Sequence, residues 1–252
     1  MWKTFKWFAP REVVLYSLYL SRFLKLPGVS ADESDVFARY YKNNFWSDPE
    51  SLSGKGSSIS ATGRLREKLI SLLKERGIKS MLDIPCGDYN WMKLVQKPGL
   101  RYLGADIVKE MVEKNNREYK NNFTEFSVIN ITKGQLPKVD LILTRDCFVH
   151  FSYEAITKAV SEIKKSESKY FLTTSYPNWR KNFNIRTGLW RPLNLSKTPF
   201  NFPEPIEVIL EESEENWGVF KDKSLNLYSV KDLPSLPTLL AGRQVARRAC
   251  YN

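Results

Sequence analysis

Short apolar runs alternate with stretches of helical periodicity through the middle of the chain. The runs are KSMLDI, RYLGADI, FTEFSVI, VDLILT and KYFLTTSY. Helical patterns follow in YNWMKLVQ, VKEMVEKNNREYK and SYEAITKAVSEIKKS. Strands that alternate with helices in this way pack as a parallel sheet with helices on both faces. The pattern therefore predicts a doubly wound, mostly parallel α/β fold.

Two further helices are predicted upstream of these runs. One covers Asp32 to Phe45, and the other covers TGRLREKLISLLKERG, in which leucines recur at helical spacing and Gly77 suits the C-terminal stop. Between them, SLSGKGSS is a glycine-serine stretch that suits either a mobile lid or a plain linker. It lacks the GxxxxGK[ST] order of a loop that binds nucleoside triphosphates.

The N-terminal part reads as an appendage to this fold. MWKTFKWFAP interleaves lysines with aromatic residues, and residues 11–26 form a helical pattern that ends at Pro27-Gly28. We favour a helix that packs on the domain or on a partner subunit over a basic amphipathic segment that contacts a membrane surface. The predicted division is a helical extension (1–50), one main domain (51–235) and a basic tail (236–252).

Length and cysteine content fit a single soluble unit. The 252 residues are 42% hydrophobic, which is enough for a substantial core. Cys86, Cys147 and Cys250 lie far apart and match no zinc spacing, so a reducing compartment is favoured. The longest early apolar run, VVLYSLYL, falls short of the roughly 20 residues that span a bilayer. We expect a cytoplasmic protein without a secretion signal.

The net charge of +11 leaves the binding partner open. It fits attraction to nucleic acid, to an anionic membrane surface or to a phosphorylated or acidic substrate. Acidic stretches such as EESEEN interrupt the basic residues along the chain, and a solvated lysine-rich surface explains the net charge at least as well.

The loop after the first predicted strand, DIPCGD, argues against a dinucleotide. A pyrophosphate needs several glycines so that backbone amides can approach it, but this loop has only Gly87. Pro85 has no amide hydrogen, and Asp83 and Asp88 would repel phosphate. Asp106 closes the next strand, where an acid accepts hydrogen bonds from both hydroxyls of a ribose. A nucleoside with a cationic substituent meets these demands.

These residues resemble the class I S-adenosylmethionine-dependent methyltransferases. The resemblance covers about residues 51–176, and it implies a seven-stranded sheet completed by two strands near residues 206–210 and 224–230. Pro85 in place of the first glycine and Asn130 in place of aspartate depart from the family pattern. The resemblance implies S-adenosylmethionine as the cofactor, bound by Ser57, Arg66, Asp83, Gly87, Asp106, Ile107, Asn130, Ile131 and Asp146.

The fourth predicted strand ends in TRDCFVH, which carries the candidate catalytic residues. His150 is the only histidine of the chain, and imidazole is the natural base for a hydroxyl that loses its proton during methyl transfer. Asp146 can orient that imidazole, contact the cofactor or help to bind a divalent cation such as Mg²⁺ or Mn²⁺. The D-x-x-x-H spacing is similar to that of some metal-dependent O-methyltransferases, whose further acidic ligands find no match here.

The segment after the fifth predicted strand, residues 177–205, has little helical periodicity, and in this family it roofs the acceptor site. Amide and guanidinium groups hydrogen bond to polyhydroxylated rings, and flat indole faces stack on sugars. The segment therefore predicts a carbohydrate acceptor, bound by Asn182, Asn184, Arg186, Trp190, Arg191 and Asn194.

Taken together, SGKGS, DIPCGD, RDCFVH and GLWRPLNL look most like a subgroup of microbial proteins expected to act on surface polysaccharides. We therefore expect O-methylation of a sugar in a glycan or a glycan precursor. Two alternatives stay open: an RNA or cap methyltransferase, favoured by the net charge, and a non-catalytic protein that binds S-adenosylmethionine for assembly.

Overall fold

A seven-stranded sheet forms the centre of the protein. The computed structural model describes Val13 and residues 32–95, 98–213 and 218–237. The strands stand in the order β3-β2-β1-β4-β5-β7-β6, in which β1 to β5 are parallel and β7 is antiparallel to both of its neighbours. The predicted doubly wound fold is therefore confirmed. The strands are β1 (Ser80–Asp83), β2 (Arg101–Asp106), β3 (Thr124–Val128), β4 (Leu141–Thr144), β5 (Tyr170–Ser175), β6 (Glu207–Leu210) and β7 (Ser224–Ser229).

The helices lie close to their predicted positions, and two of the four begin at a side-chain cap. Asp32 accepts a hydrogen bond from the Ser34 amide at the start of α1, and Ser152 accepts one from the Ala155 amide at the start of α4. Gly77, with a φ of 61°, follows the end of α2, where a left-handed residue commonly ends a helix. The bounds are α1 (Glu33–Lys42), α2 (Gly63–Glu75), α3 (Lys109–Tyr119) and α4 (Tyr153–Lys165).

Both faces of the sheet are covered, because successive side chains of a strand point to opposite sides. Met81 packs with the leucines of α2 and with Val112 of α3, whereas its neighbour Leu82 packs with α4. The segment 177–205 covers the α4 face as well, through six buried side chains: Leu189, Trp190, Leu193, Leu195, Phe200 and Phe202.

The prediction of a helix from YNWMKLVQ is wrong. Only a 3-10 turn, Met92–Leu94, forms there. Tyr89 has a φ of 59°, outside the helical region, and Pro98 follows too closely for a long helix to continue. Trp91, Met92 and Val95 are buried and Lys93 and Leu94 are exposed, so the segment keeps the one-sided burial of a helix in a single short turn.

Some predicted features lie outside the described residues. These are the basic segment at the N-terminus, the helical pattern 11–26 and the tail after residue 237. The domain boundaries that depend on them stay predictions. Among the helices that the structure describes, none is long and apolar enough to cross a membrane.

The sheet order determines where a ligand can bind. The chain leaves β1 towards β2 and β3 on one side, and returns to β4 and β5 on the other. The loops after β1 and β4 therefore diverge and leave a crevice at their carboxyl ends, which is the usual ligand position in such sheets.

We predict that Gly104, in the middle of β2, tolerates no side chain. A Cβ atom there would lie 2.5 Å from Cδ1 of Phe126 and 3.1 Å from Cε1 of Tyr102, both ring atoms of the core. Gly104→Ala should lower the free energy of unfolding by about 1–3 kcal/mol through overpacking. Urea denaturation measures this loss.

The matched control is Gly63→Ala at the start of α2, where the nearest atom would be 3.9 Å away, at the end of the Arg66 side chain. It should leave stability unchanged or raise it by up to about 1 kcal/mol, since alanine favours a helix. Equal stability of the two variants would contradict the packing described for β2.

Candidate active site

A cleft of about 1060 Å³, including the part open to solvent, lies at the carboxyl ends of β1, β2 and β4. Its walls come from the loops after these strands and after β3, together with α1 and the segment before α2. Nine of the predicted site residues line it: Ser57, Asp83, Gly87, Asp106, Ile107, Asn130, Ile131, Asp146 and His150.

The loop after β1 makes its turn at Gly87, which has a φ of 57°. A Cβ atom at this position would lie 2.2 Å from the Ser53 hydroxyl oxygen, so the loop packs against residues before α2 through a contact that only glycine allows. The Gly87 carbonyl accepts a hydrogen bond from Nδ2 of Asn115 on α3, at 2.8 Å. The turn is thus held from two sides.

Asp106, at the end of β2, connects two of the loops. Its Oδ2 accepts a hydrogen bond from the Gly87 amide at 3.1 Å, and its Oδ1 accepts one from the Val108 amide at 3.0 Å. Burial raises the pKa of this carboxyl group to about 6, against the lowering effect of these amides. More donors to the carboxylate would stabilise its charged form, and ribose hydroxyls are such donors.

Asp83 lies at the end of β1 and is 3% exposed. Its Oδ2 accepts a hydrogen bond of 2.7 Å from the hydroxyl of Tyr102, on the neighbouring strand β2. Burial and the nearby Asp83 carboxylate raise the pKa of Tyr102 well above its usual value, so the phenol keeps the proton it donates. This pair positions Asp83 at the cleft.

Asn130 and Ile131 follow β3 and line the same cleft. Oδ1 of Asn130 accepts hydrogen bonds from the amide and the hydroxyl of Thr132, each at 2.8 Å. The side-chain oxygen therefore shapes its own turn. Contact of Asn130 and Ile131 with an adenine edge stays a prediction.

The segment SLSGKGSS closes one side of the cleft. Asp88 anchors it by accepting hydrogen bonds from the Ser51 hydroxyl at 3.0 Å and the Leu52 amide at 2.7 Å. Nδ2 of Asn90 donates to the Ser57 carbonyl at 3.2 Å. These contacts place Leu52, Ser53 and Ser57 in the wall of the cleft.

The structure does not place Arg66 in the wall of the cleft, contrary to the predicted cofactor role. Arg66 lies on α2 and donates from Nη2 to the Ile59 carbonyl at 3.1 Å, within the turn that precedes the helix. The arginine that lines the cleft is Arg145.

Four charged side chains meet beside the cleft, which we call the charge quartet: Arg145, Asp146, Glu211 and Lys223. Arg145 Nη2 lies 2.6 Å from Glu211 Oε2, and Lys223 Nζ lies 2.6 Å from Asp146 Oδ2. Lys223 is also 3.4 Å from Glu211. Arg145, Glu211 and Lys223 are almost fully buried, which is tolerable because the two positive and two negative charges balance.

Asp146 is the member of the quartet that faces the cleft most openly, with 29% of its side chain exposed. Burial favours its neutral form, but Lys223 and Arg145 outweigh that effect and lower its pKa to about 2. The residue has a φ of 53°, an unusual conformation that aspartate adopts more readily than most residues. A carboxylate that stays ionised at any moderate pH therefore borders the cleft.

His150 is fixed in one orientation by the segment 177–205. Its Nδ1 lies 3.0 Å from the Leu189 carbonyl oxygen, and its own carbonyl accepts a hydrogen bond from the Gly188 amide at 2.8 Å. A carbonyl only accepts hydrogen bonds, so Nδ1 carries the proton. In neutral imidazole the lone pair then resides on Nε2.

The predicted acceptor role of Arg191 is replaced by a structural one. Its side chain is fully buried, and its guanidinium donates to the carbonyls of Phe183, Phe148 and Phe151, at 3.0, 2.9 and 3.0 Å. Burial lowers its pKa to about 9, which still leaves it charged at neutral pH. Arg191 thus joins the segment 177–205 to the turn that carries His150.

The other residues predicted to bind the acceptor also lie away from the cleft. All of residues 177–205 are described, and none of them lines it. The Asn182 side chain bonds to the amide and the carbonyl of Asn194, the Asn194 side chain donates to the Pro177 and Trp179 carbonyls, and the Asn184 side chain accepts from the Tyr153 amide. Trp190 packs edge-on against Tyr176, and Arg186 is exposed. These polar groups stabilise an irregular segment, a use that residue type alone did not reveal.

Several residues that line the cleft were not predicted from the sequence. Phe37 and Tyr41 come from α1, Trp46 from the turn after it, and Trp91 from the mispredicted helix. Glu211 and Lys223, from beyond β6, do not line the cleft but contact Arg145 and Asp146, which do. Only Arg145 carried a usable signal, because it directly follows a predicted strand at the expected ligand edge.

Cys86 and Cys147 each lie three residues after one of the neighbouring strands β1 and β4, and both are buried. Burial raises the pKa of both thiols well above the usual value. Both therefore stay protonated at neutral pH and make poor nucleophiles.

The comparisons with known proteins agree with this geometry. Residues 82–166, about a third of the chain, match a family described as "Methyltransferase domain". This match runs from β1 to the end of α4, so it contains Asp83, Gly87, Asp106, Asp146 and His150. A search of curated proteins found no match to the sequence.

Solved structures show the same fold. PigF with S-adenosylhomocysteine superposes with a TM-score of 0.57 at 12% identity, over 89% of this chain and 70% of PigF. Human N-acetylserotonin methyltransferase in complex with S-adenosylmethionine gives a TM-score of 0.53 at 14% identity, over 86% of this chain and 64% of that enzyme. Together with the sheet order and the cleft, these superpositions show the fold of the class I S-adenosylmethionine-dependent methyltransferases, and residues 82–166 match the methyltransferase domain family.

The residues of the cleft fit that cofactor. The buried carboxylate of Asp106 accepts hydrogen bonds, as a ribose requires, and Gly87 lines the same cleft. The ionised Asp146 suits a cationic sulfonium nearby. Within the described part of the chain, no group of three or more His, Cys, Asp or Glu side chains is placed to hold a metal ion.

We predict that cofactor affinity depends on the ionisation of Asp106. The ionised carboxylate accepts from ribose hydroxyls more strongly than the protonated form does. Because the pKa is about 6 in the free protein, affinity should be full above that pH and fall by up to about tenfold per unit below it. Calorimetric titration of S-adenosylmethionine between pH 5 and 8 measures this.

Asp106→Asn is the matched variant, since it keeps the size of the side chain and removes its titration. Its affinity should be lower at neutral pH, by about 1.5–3 kcal/mol for lost charge-assisted bonds, and should change less with pH than that of the wild type. An identical pH profile in the two proteins would remove Asp106 from the ribose site.

A second prediction concerns Arg191. Arg191→Met should lower the free energy of unfolding by about 3–5 kcal/mol, since three buried carbonyls lose their donor. The exposed Arg186, five residues earlier, provides the control, and Arg186→Met should change stability by less than about 0.5 kcal/mol. Chemical denaturation of both variants tests the difference, and a mild effect at Arg191 would contradict its structural role.

Proposed function

We propose that the protein transfers a methyl group from S-adenosylmethionine to a hydroxyl group of a sugar, in a glycan or a glycan precursor. The observation that carries this proposal is the position of His150, in the wall of the cleft that also holds Asp83, Gly87 and Asp106. A base at this position suits an oxygen nucleophile, which must lose a proton as the new bond forms.

Bound S-adenosylmethionine supplies an activated methyl group on its sulfonium. His150 takes the proton of the attacking hydroxyl on Nε2, because the Leu189 carbonyl keeps the other ring proton on Nδ1. The Leu189 carbonyl also orients the imidazolium that results. The cleft walls align the reacting groups, and such alignment can lower the barrier by some 7–11 kcal/mol. A general base typically accelerates the reaction by a factor of about 10²–10⁴.

Asp146 acts through its charge. Lys223 and Arg145 keep it ionised, so it can favour both a sulfonium in the cleft and the imidazolium that forms on His150. It does not need to titrate for this, and its role is distinct from that of His150. A divalent cation held by Asp146 and His150 would need further ligands from water or substrate.

Aromatic side chains support a sugar acceptor. Phe37, Tyr41 and Trp46 line the part of the cleft on the α1 side, and His150 lies at the edge of the Trp46 ring. Flat aromatic faces pack well against the apolar C–H face of a pyranose. The sugar is thus proposed to contact α1 and the turn after it, in place of the segment 177–205.

We also propose a cytoplasmic location for the protein. Cys86 and Cys147 are buried, unbridged thiols, which suits a reducing compartment.

The first experiment identifies the acceptor. The enzyme is incubated with S-adenosylmethionine labelled in its methyl group and with a panel of methyl glycosides, phenols and RNA. We expect label in a methyl ether of a glycoside, located by mass and linkage analysis. Label found only in RNA or only in phenols would contradict the sugar acceptor and leave the methyltransferase assignment intact.

We predict that His150→Ala lowers kcat by about 10²–10⁴ without loss of cofactor affinity, since the residue acts in proton transfer. At saturating S-adenosylmethionine, wild-type kcat should fall on the acidic side as the imidazole is protonated, and the variant should lack that fall. His150→Gln, which keeps a polar side chain of similar size, is the control for packing and should be equally slow.

A folded His150→Ala protein with full turnover would contradict both the base and the metal version of the mechanism. The two versions separate on addition of EDTA. Turnover should persist if His150 is the base, whereas a cation held by Asp146 and His150 would make EDTA abolish activity and Mg²⁺ or Mn²⁺ restore it.

A further inference from the structure

Three aromatic side chains form one wall of the cleft, which we call the aromatic wall: Phe37 and Tyr41 of α1 and Trp46 of the following turn. The residues proposed to bind the cofactor follow β1, β2, β3 and β4 or, in the case of Ser57, precede α2, and the aromatic wall belongs to none of these segments. It therefore borders the space that remains for the acceptor.

Trp46 is the member of the wall nearest to the proposed base. Its ring centroid lies 6.0 Å from that of His150, and the two rings meet edge to face at 67°. An acceptor that lies on the Trp46 ring therefore has its substituents within reach of the imidazole.

Its surroundings hold Trp46 in place. The Trp46 Cβ atom would be 3.1 Å from a Cβ atom at Gly54, so the glycine of the SGKGS stretch lets the backbone approach this side chain. Tyr40 contacts the indole edge to face, with centroids 5.4 Å apart, and Phe45 does the same at 5.9 Å. Trp46 itself remains half-buried, so part of its surface is accessible.

The polar atoms of the aromatic wall are few. Phe37 has none in its side chain, and Tyr41 and Trp46 offer one hydroxyl and one indole N–H. A hydroxyl of the acceptor that faces this wall would mostly lack a partner, and a buried polar group without a partner is unfavourable. The wall thus favours an acceptor whose facing edge is apolar.

We propose that Trp46 is the platform on which the acceptor ring stacks, and that the ring is a 6-deoxyhexose, whose methyl group faces the aromatic wall where a hexose would place a hydroxymethyl group. This inference rests on the proposed function, because it names the sugar that the same site takes. It assigns the specificity to α1 and its following turn.

The first measurement compares pairs of sugars that differ by a single oxygen. The methyl glycosides of L-fucose and L-galactose form one pair, and those of L-rhamnose and L-mannose form the other. With labelled S-adenosylmethionine, kcat/KM should be about 10–100-fold higher for the deoxy member of the pair that is accepted. Equal values within the pair would overturn the deoxysugar assignment, while methylation of either member would uphold the proposed function.

The second measurement tests the platform itself. Trp46→Leu keeps an apolar side chain and removes the flat face, so KM for the accepted glycoside should rise about 10-fold or more, with kcat changed far less. The affinity of this variant for S-adenosylmethionine, measured by calorimetry without any acceptor, should stay within about twofold of the wild-type value. Such a result would show that the variant is folded. Trp46→Phe should restore a lower KM.

Trp179→Leu is the matched control. Trp179 lies in the segment 177–205, away from the cleft, and its Nε1 has no hydrogen-bond partner to lose. The KM of the Trp179→Leu variant for the glycoside should equal that of the wild type.

An unchanged KM in Trp46→Leu with normal cofactor affinity would overturn the platform, even with sugar methylation established. If the enzyme methylates only phenols, the proposed sugar acceptor and the deoxysugar assignment both fail.

Discussion

The buried guanidinium of Arg191 joins the parts of the structure that make the site. It donates to three carbonyls, one in the segment 177–205 and two that flank the turn carrying His150. Backbone carbonyls in a core need donors, and in regular structure the helix or sheet supplies them. Here neither partner is regular, so one charged side chain supplies the donors for both. The imidazole is held in position only because this segment is packed against it.

A second level of organisation is electrostatic. The charge quartet brings Glu211 and Lys223, from the antiparallel edge of the sheet, into contact with Arg145 and Asp146 at the end of β4. Arg145 also donates to the Gly56 carbonyl at 2.8 Å, which ties the SGKGS stretch to the same cluster. Segments far apart in sequence therefore meet at one neutral cluster, and removal of any member would leave a buried charge without its partner.

The sheet and the meeting of Asp83, Gly87 and Asp106 in one cleft could be predicted from the sequence, because both depend on local patterns. Asp83, Gly87 and Asp106 each follow an apolar run, and the ends of parallel strands share one edge of the sheet. The acceptor side could not be predicted in the same way. Asn182, Arg191 and Asn194 have the residue types of a sugar site, yet their side chains hydrogen bond to backbone groups of the protein. Trp46 looked like a residue at a helix end, and only the fold brings it to His150. The helix predicted at YNWMKLVQ does not form, because core packing and Pro98 outweigh a helical pattern that spans only eight residues.

The burial of the charge quartet has a consequence for how the enzyme responds to salt. Mobile ions screen charges on the surface, within a Debye length of about 10 Å at 0.1 M, but they reach buried pairs poorly. The forces that shape the cofactor cleft should therefore persist as ionic strength rises. The net charge of +11 is a property of the whole chain, and its long-range attraction for an anionic partner is screened. Salt therefore distinguishes the buried charge quartet from the long-range attraction of the net charge. A loss of activity at raised ionic strength would indicate weaker attraction between the enzyme and its acceptor, since the charges that shape the cleft are not screened.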